Sequence, residues 1–175
     1  MSVSEQAEFS RPVVVARLGQ SEAIETIEAA DAERARLAKR LGIVALNRFV
    51  AVVRLRRREG GEIIHVSGRL EADLVQNCVV TLEPFPSLVE DSFSVDFTEL
   101  PVAEEDEAIL DMDHEPPEPI ADGIIDIGEV ATQYLALALD PHPRAPGVSL
   151  DSVWSGEGNP ESSPFAALAK LKSRG

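Results

Sequence analysis

Thirty residues, Gly68 to Phe97 (GRLEADLVQNCVVTLEPFPSLVEDSFSVDF), constrain this chain more than any other stretch. Starting slightly upstream, one parity reads Ile64, Val66, Gly68, Leu70, Ala72, Leu74, Gln76, Cys78. The other reads His65, Ser67, Arg69, Glu71, Asp73, Val75, Asn77. That period-two alternation predicts a long strand with one buried and one wet face. After Glu83-Pro84-Phe85-Pro86, Val89, Asp91, Phe93, Val95 and Phe97 alternate with Glu90, Ser92, Ser94 and Asp96, a returning strand. A chain containing such a pair must be built around an antiparallel sheet.

The flanks extend it. Phe49, Ala51, Val53 and Leu55 share one face of a preceding strand, and Val50, Val52, Arg54 and Arg56 the other. Glu59-Gly60-Gly61-Glu62 between the two runs is a hairpin signal, because glycines accept the positive φ of tight turns. The expectation is a three-strand meander at about 46–58, 62–78 and 87–98, with Gly68 marking a bulge or bend. Pro12 to Leu18 fits a short strand and Gly19-Gln20-Ser21 a turn. Ile24 to Ala29 fits a strand better than a helix, since Asp31 offers the better helix start.

Two helices should pack on this sheet. Asp31 to Leu41 has Asp31 as N-cap, Glu33 in the first turn, Lys39 and Arg40 in the last, and Gly42 as stop. Ala35, Ala38 and Leu41 form its apolar stripe, with Leu37 beside it. Asp126 to Leu139 opens on a D-x-x-E capping box, with Ile125 and Val130 as a hydrophobic staple. Its interior is apolar nearly all round, and Pro141 and Pro143 end it. Between sheet and second helix, residues 101–123 are acidic and proline-rich, a long flexible loop in which Ile109, Leu110 and Met112 could dock. The domain reading is a flexible start at 1–10, one domain at 11–143, a linker at 144–163 and a short C-terminal helix at 164–175. Phe165, Leu168 and Leu171 fall on one face of that helix, a partner-docking surface. The fold class expected is α+β: a strongly curled antiparallel sheet with two main packed helices.

The formal net charge is −15, which argues against holding nucleic acid through the overall field. The charge is uneven, however. Arg34, Arg36, Lys39, Arg40, Arg48, Arg54, Arg56, Arg57, Arg58 and Arg69 crowd the first half, and no lysine or arginine occurs between Arg69 and Arg144. The first nine of these are the candidate contacts for RNA phosphates or an acidic partner, against the plainer reading of a solvated face paired with acids. Phe49 is the lone aromatic among them, so base stacking has little support. A single cysteine excludes an internal disulfide and a cysteine-built zinc site. Cys78 reads as a small buried hydrophobe, with His65 on the opposite face. His65, His114 and His142 are scattered, and Asp111-Met112-Asp113-His114-Glu115 lacks the glycine and distal glutamate of a calcium loop. No cofactor, metal or catalytic residue is expected. The polar start MSVSEQAEF and the lack of an apolar run near the ~20 residues of a membrane helix point to the cytoplasm.

The central block resembles the YceD-like family, the large ribosomal RNA subunit accumulation proteins. Gly68, Leu70, Ala72, Leu74, Cys78, Leu82, Phe93 and Phe97 match its pattern. Ile125 to Pro143 (IDIGEVATQYLALALDPHP) resembles its second block, and PFAALAKLK (Pro164 to Lys172) its tail. Many relatives carry paired cysteines in the central block and after the second helix. Here Cys78 is followed by Val79, Val80 and Thr81, and His142 and Arg144 follow the helix. The resemblance implies a non-catalytic role in accumulation or processing of 23S precursor RNA. The partners implied are the pre-50S particle, rRNA, or a basic ribosomal or processing protein, with neither membrane nor DNA. Outside ribosome assembly, the alternatives are an acidic adaptor docking through its C-terminal helix and a small carboxylate hydrolase.

Overall fold

The structure, a computed structural model, describes residues 7–58, 60–100 and 116–148. The elements run β1 (Pro12–Val14), β2 (Ala23–Glu28), α1 (Asp31–Leu41), β3 (Ala45–Arg57), β4 (Ile63–Asn77), β5 (Pro84–Thr98), β6 (Glu118–Pro119), β7 (Ile124–Asp126) and α2 (Ile127–Ala138). A 3-10 turn, Val15–Arg17, follows β1. The class is α+β, with mainly antiparallel sheets and two α-helices among the described residues. The main sheet has the order β2-β3-β4-β5-β6, and β1 pairs with β7 in a separate two-stranded ribbon. The strong curl expected of the sheet is not found; its strand order is open from β2 to β6.

The meander forms as the alternation demands. Gly60 and Gly61, at φ 97° and 77°, supply the left-handed backbone of the β3–β4 turn. The turn sets a register in which Arg57 faces Ile64, Leu55 faces Val66 and Val53 faces Gly68. The inner face carries Phe49, Ala51, Val53, Leu55, Ile64, Val66, Leu70, Ala72, Leu74, Phe93 and Phe97, all buried. Each large apolar side chain enclosed there contributes about 1.5–3 kcal/mol. Both helices pack on this face, α1 against β3 and α2 against β4 and β5.

Gly68 does not mark a bulge. The β4 pairing runs through it unbroken on both sides, and the irregularity falls between Leu46 and Arg48 on β3. Gly68 instead leaves room for a neighbour: a Cβ there would lie 2.5 Å from the Phe93 ring and 2.8 Å from the Val52 carbonyl oxygen. Phe93 covers the bare backbone and stacks on Tyr134 of α2 at 4.8 Å.

The returning strand starts at Pro84, earlier than the expected residue 87. The hydrogen bond from Cys78 N–H to the Glu83 carbonyl fixes the alternation. By that alternation Pro84 and Pro86 sit at positions whose backbone faces away from β4, where a missing N–H costs no ladder bond. The same edge is blunted further along. The Ser92 amide donates to Asp91 Oδ1 at 2.8 Å, the Tyr134 hydroxyl donates to the Ser94 carbonyl at 3.3 Å, and β6 covers Phe97 and Thr98. These devices limit sheet extension through β5.

Both helix starts differ in detail from expectation. In α1 the N-cap is Ala30, and Asp31 is already helical. Capping comes from Glu33, whose carboxylate accepts from the Ala30 amide at 2.8 Å. Leu37 and Ala38 are the buried residues, while Ala35 is exposed. At the C-terminal end the Gly42 amide closes onto the carbonyls of Ala38 and Lys39. In α2, Asp126 is the N-cap as expected and accepts from the Gly128 and Glu129 amides. Glu129 does not complete a capping box; its carboxylate turns to Arg40. The helix is also less uniformly apolar in its setting than expected, with Leu137 at 77% exposure.

Phe9 and Ser10, expected in a flexible start, are docked. Phe9 is buried against Phe49 with ring centroids 5.5 Å apart. Ser10 Oγ and the Arg11 amide donate to Asp126. Arg11 then forks onto Glu33 at 2.8 and 3.0 Å. The Arg11 hydrogen bond holds the Glu33 carboxyl below its usual range. A depressed carboxyl adds stability above the unfolded value near ~4.3, and that stability is lost as pH falls through the lower folded value. Replacing Glu33 with Gln is expected to cost about 1 kcal/mol at neutral pH, since both partners keep some exposure. The gap to the native chain should close in acid unfolding curves below about pH 4; a gap independent of pH would contradict the assignment.

Part of the acidic loop is ordered: Glu118–Pro119 forms β6 and Ala121 bridges Ile124. The remainder of the expected loop with Ile109, Leu110, Met112 and His114, most of the linker, and the helix carrying Phe165, Leu168 and Leu171 lie outside the described residues.

Candidate functional site

The nine candidate cations do not form one cluster; the sheet divides them. Arg34, Arg36, Lys39 and Arg40 ride on α1, on the inner side of the sheet, while Arg48, Arg54 and Arg56 belong to the opposite, outer face. Several are committed to holding the fold. Arg34 donates to the Ala29 carbonyl and pairs with Asp31, both at 2.7 Å. Arg40 bridges Glu8 at 2.9 Å and Glu129 at 2.5 Å, tying the N-terminal segment to α1 and α2. Those hydrogen bonds, Glu129's first, raise its guanidinium pKa further above its already high ordinary value.

Arg57 has the parity of Leu55 and therefore turns to the core side. Its guanidinium donates to the carbonyls of Val15, Leu18 and Gly61, fastening the 3-10 turn to the sheet. Arg58 folds back onto Asp96 at 3.0 Å, where His65 Nδ1 also meets Asp96 at 2.7 Å. Arg48 pairs with Glu71.

What remains on the outer face is a short row. Arg54 and Arg56 are exposed on β3, and no ion pair involves either among the described residues. Arg69 on β4 joins them, exposed and equally unpaired. It belongs to the basic first half of the sequence but not to the nine candidate contacts. Register supplies the reason for its inclusion: Arg54 faces Ser67 and Val52 faces Arg69, so Arg69 lies diagonally across from Arg54. From a rise of ~3.4 Å per residue, the row Arg56–Arg54–Arg69 spans about 14 Å. Around it stand Ile24, Thr26, Val50, Val52, Ser67, Ser92 and Ser94, with His65 and Asp96 beside Arg56 and Glu28, Glu71 and Glu90 beyond Arg69. A shallow hollow of about 320 Å³ lined by Arg69, Glu71 and Glu90 opens there. On Arg36 and Lys39, across the sheet, no ion pair is formed among the described residues either, but they stand apart from this row.

Nothing else on the described surface gathers chemistry. No group of three or more His, Cys, Asp or Glu side chains among the described residues could hold a metal. Cys78 is buried, as expected, yet it is more than a hydrophobe. Hydrogen bonds from the Thr81 hydroxyl, then from the Ala145 and Thr81 amides, hold its thiol down to about 7. With the Val79 amide donating to the Pro143 carbonyl, this turn knots the β4–β5 connection to the segment after α2. No helix among the described residues is long and apolar enough to cross a membrane.

Comparison with known proteins gives one finding. The family model described as "Large ribosomal RNA subunit accumulation protein YceD" matches residues 66–172, from β4 through α2 and beyond. No curated protein and no solved structure matches. Arg69 lies inside the matched span, whereas Arg54 and Arg56 lie just before it. A match over more than half of the 175 residues settles the affiliation: this chain belongs to the YceD family.

Proposed function

We propose that this protein is a non-catalytic binding factor that supports accumulation of the large-subunit ribosomal RNA. In this reading it engages the pre-50S particle and contacts 23S precursor RNA through the phosphate backbone. The family gives the process. The observation that carries the mode of contact is the row Arg54, Arg56 and Arg69, three exposed guanidiniums without an ion pair among the described residues, on the sheet face that neither helix covers. A chain of net charge −15 repels nucleic acid at a distance, so contact depends on a local cationic row. Most of the other arginines among the described residues are occupied by carboxylates or backbone carbonyls, which makes this row the available one among the sheet arginines.

The test is recovery of partners from a cell lysate at low salt, with and without ribonuclease. Large-subunit precursor RNA should be recovered with the native chain and vanish after ribonuclease. The Arg54→Ala/Arg56→Ala/Arg69→Ala variant should recover several-fold less. A basic protein that survives ribonuclease, with no RNA dependence, would replace direct RNA contact by a protein partner. Recovery of neither would overturn the proposal.

A further inference from the structure

We infer that the outer sheet face binds the sugar-phosphate backbone of base-paired RNA and does not read unstacked bases. This rests on the reading of rRNA as the ligand and adds which form of RNA the surface fits. Single-stranded RNA is held on open sheets by aromatic side chains on which bases stack. Here every described Phe and Tyr ring is on the inner side of the sheet or away from it, and the imidazole of His65, on the outer face opposite Arg56, is held by Asp96 at 2.7 Å. Phe49, Phe85, Phe93 and Phe97 share the inner parity, Phe9 packs on Phe49, and Tyr134 stacks on Phe93 from α2. Among the described residues the outer face offers no Phe, Tyr or Trp ring as a stacking platform.

What it does offer suits a duplex. Arg56 and Arg54 stand on one strand, two residues apart, and Arg69 lies on the next strand diagonal to Arg54. Three separate point charges along about 14 Å match a line of phosphates better than a single pocketed anion. Hydroxyls flank them: Thr26 faces Val52, Ser67 faces Arg54, and Ser92 faces Arg69, with Ser94 beyond Ser67. The A-form minor groove is wide and shallow and presents 2′-hydroxyls and phosphates, for which guanidiniums and hydroxyls are the matching donors and acceptors. Val50 and Val52 keep the middle of the face low, and the exposed Ile24 stands at its β2 side opposite Arg54.

The experiment compares binding of the full chain to a duplex RNA of about 16 base pairs with binding to polyuridine of equal length, across salt. The duplex should bind several-fold more tightly. Three phosphate contacts predict a slope of log affinity on log salt near about −2.7, or roughly a 40-fold loss between about 50 and about 200 mM salt. Each Arg→Ala change at 54, 56 or 69 should remove about one unit of slope, while Arg→Lys at all three should retain it. Equal or tighter binding of polyuridine, or an unchanged slope in the triple alanine variant, would overturn the inference. If particles are recovered from lysate but duplex preference fails, only this inference falls. If duplex binding holds but no particle is recovered, the assembly role falls and the surface assignment stands.

Discussion

Gly128→Ala should destabilise the protein by about 2 kcal/mol, against the usual sign of this exchange in a helix. Alanine in place of glycine ordinarily gains up to about 1 kcal/mol through lower chain entropy. At Gly128 a Cβ would lie 2.4 Å from the Phe9 carbonyl oxygen and 3.0 Å from the Arg11 amide nitrogen. Both are backbone atoms, so no side-chain rotation relieves the contact. They belong to a segment held by the Phe9 ring in the core, by the Arg11 amide on Asp126, and by the Ile127 amide on the Arg11 carbonyl. Overpacking of this kind costs typically about 1–3 kcal/mol, occasionally more, and outweighs the entropic gain. Urea unfolding should show the loss. A variant with raised stability would mean that the N-terminal segment does not lie against α2.

Gly68→Ala should cost a similar amount, about 1–3 kcal/mol. The added methyl meets the Phe93 ring at 2.5 and 2.8 Å and the Val52 carbonyl oxygen at 2.8 Å. A free phenylalanine ring would swing away at little cost. This one is stacked on Tyr134 with planes 16° apart, so moving it opens the contact between β5 and α2. The smaller side chain of Phe93→Leu in the double variant should recover part of the loss, because the alanine then finds room. Stability losses of the two single changes that simply add would place the strain elsewhere.

These two positions also show what the sequence could reveal. The strands were legible because one sheet face is buried and the other is wet, which writes a period of two into β3, β4 and β5. The turn at Gly60 and Gly61 and the Asp126 cap were legible because each needs a particular residue type locally. The role of Gly68 was not, since what excludes a side chain there is a ring 25 residues away, brought over it by register. Arg57 carried a usable signal that the cluster reading passed over: it continues the parity of Leu55, which points it inward. The division of α1 from Arg54 and Arg56 across the sheet, and the clasp of Arg40 on Glu8 and Glu129, depend on tertiary packing between distant segments. Local pattern carries no trace of them. Arg69 needed the hairpin register, which places it beside Arg54 despite a separation of 15 residues in sequence.

The choice between the outer-face row and the free cations of α1 can be read in one sedimentation experiment. Lysates carrying the native chain, Arg54→Glu/Arg56→Glu/Arg69→Glu, or Arg36→Glu/Lys39→Glu on the far side of the sheet are run on low-salt gradients, following the protein through the large-subunit precursor fractions. The account predicts that the native chain and the α1 variant travel with those fractions, that the outer-face variant stays at the top as folded protein, and that higher salt releases the native chain. Equal retention of the outer-face variant, or selective loss of the α1 variant, would contradict it.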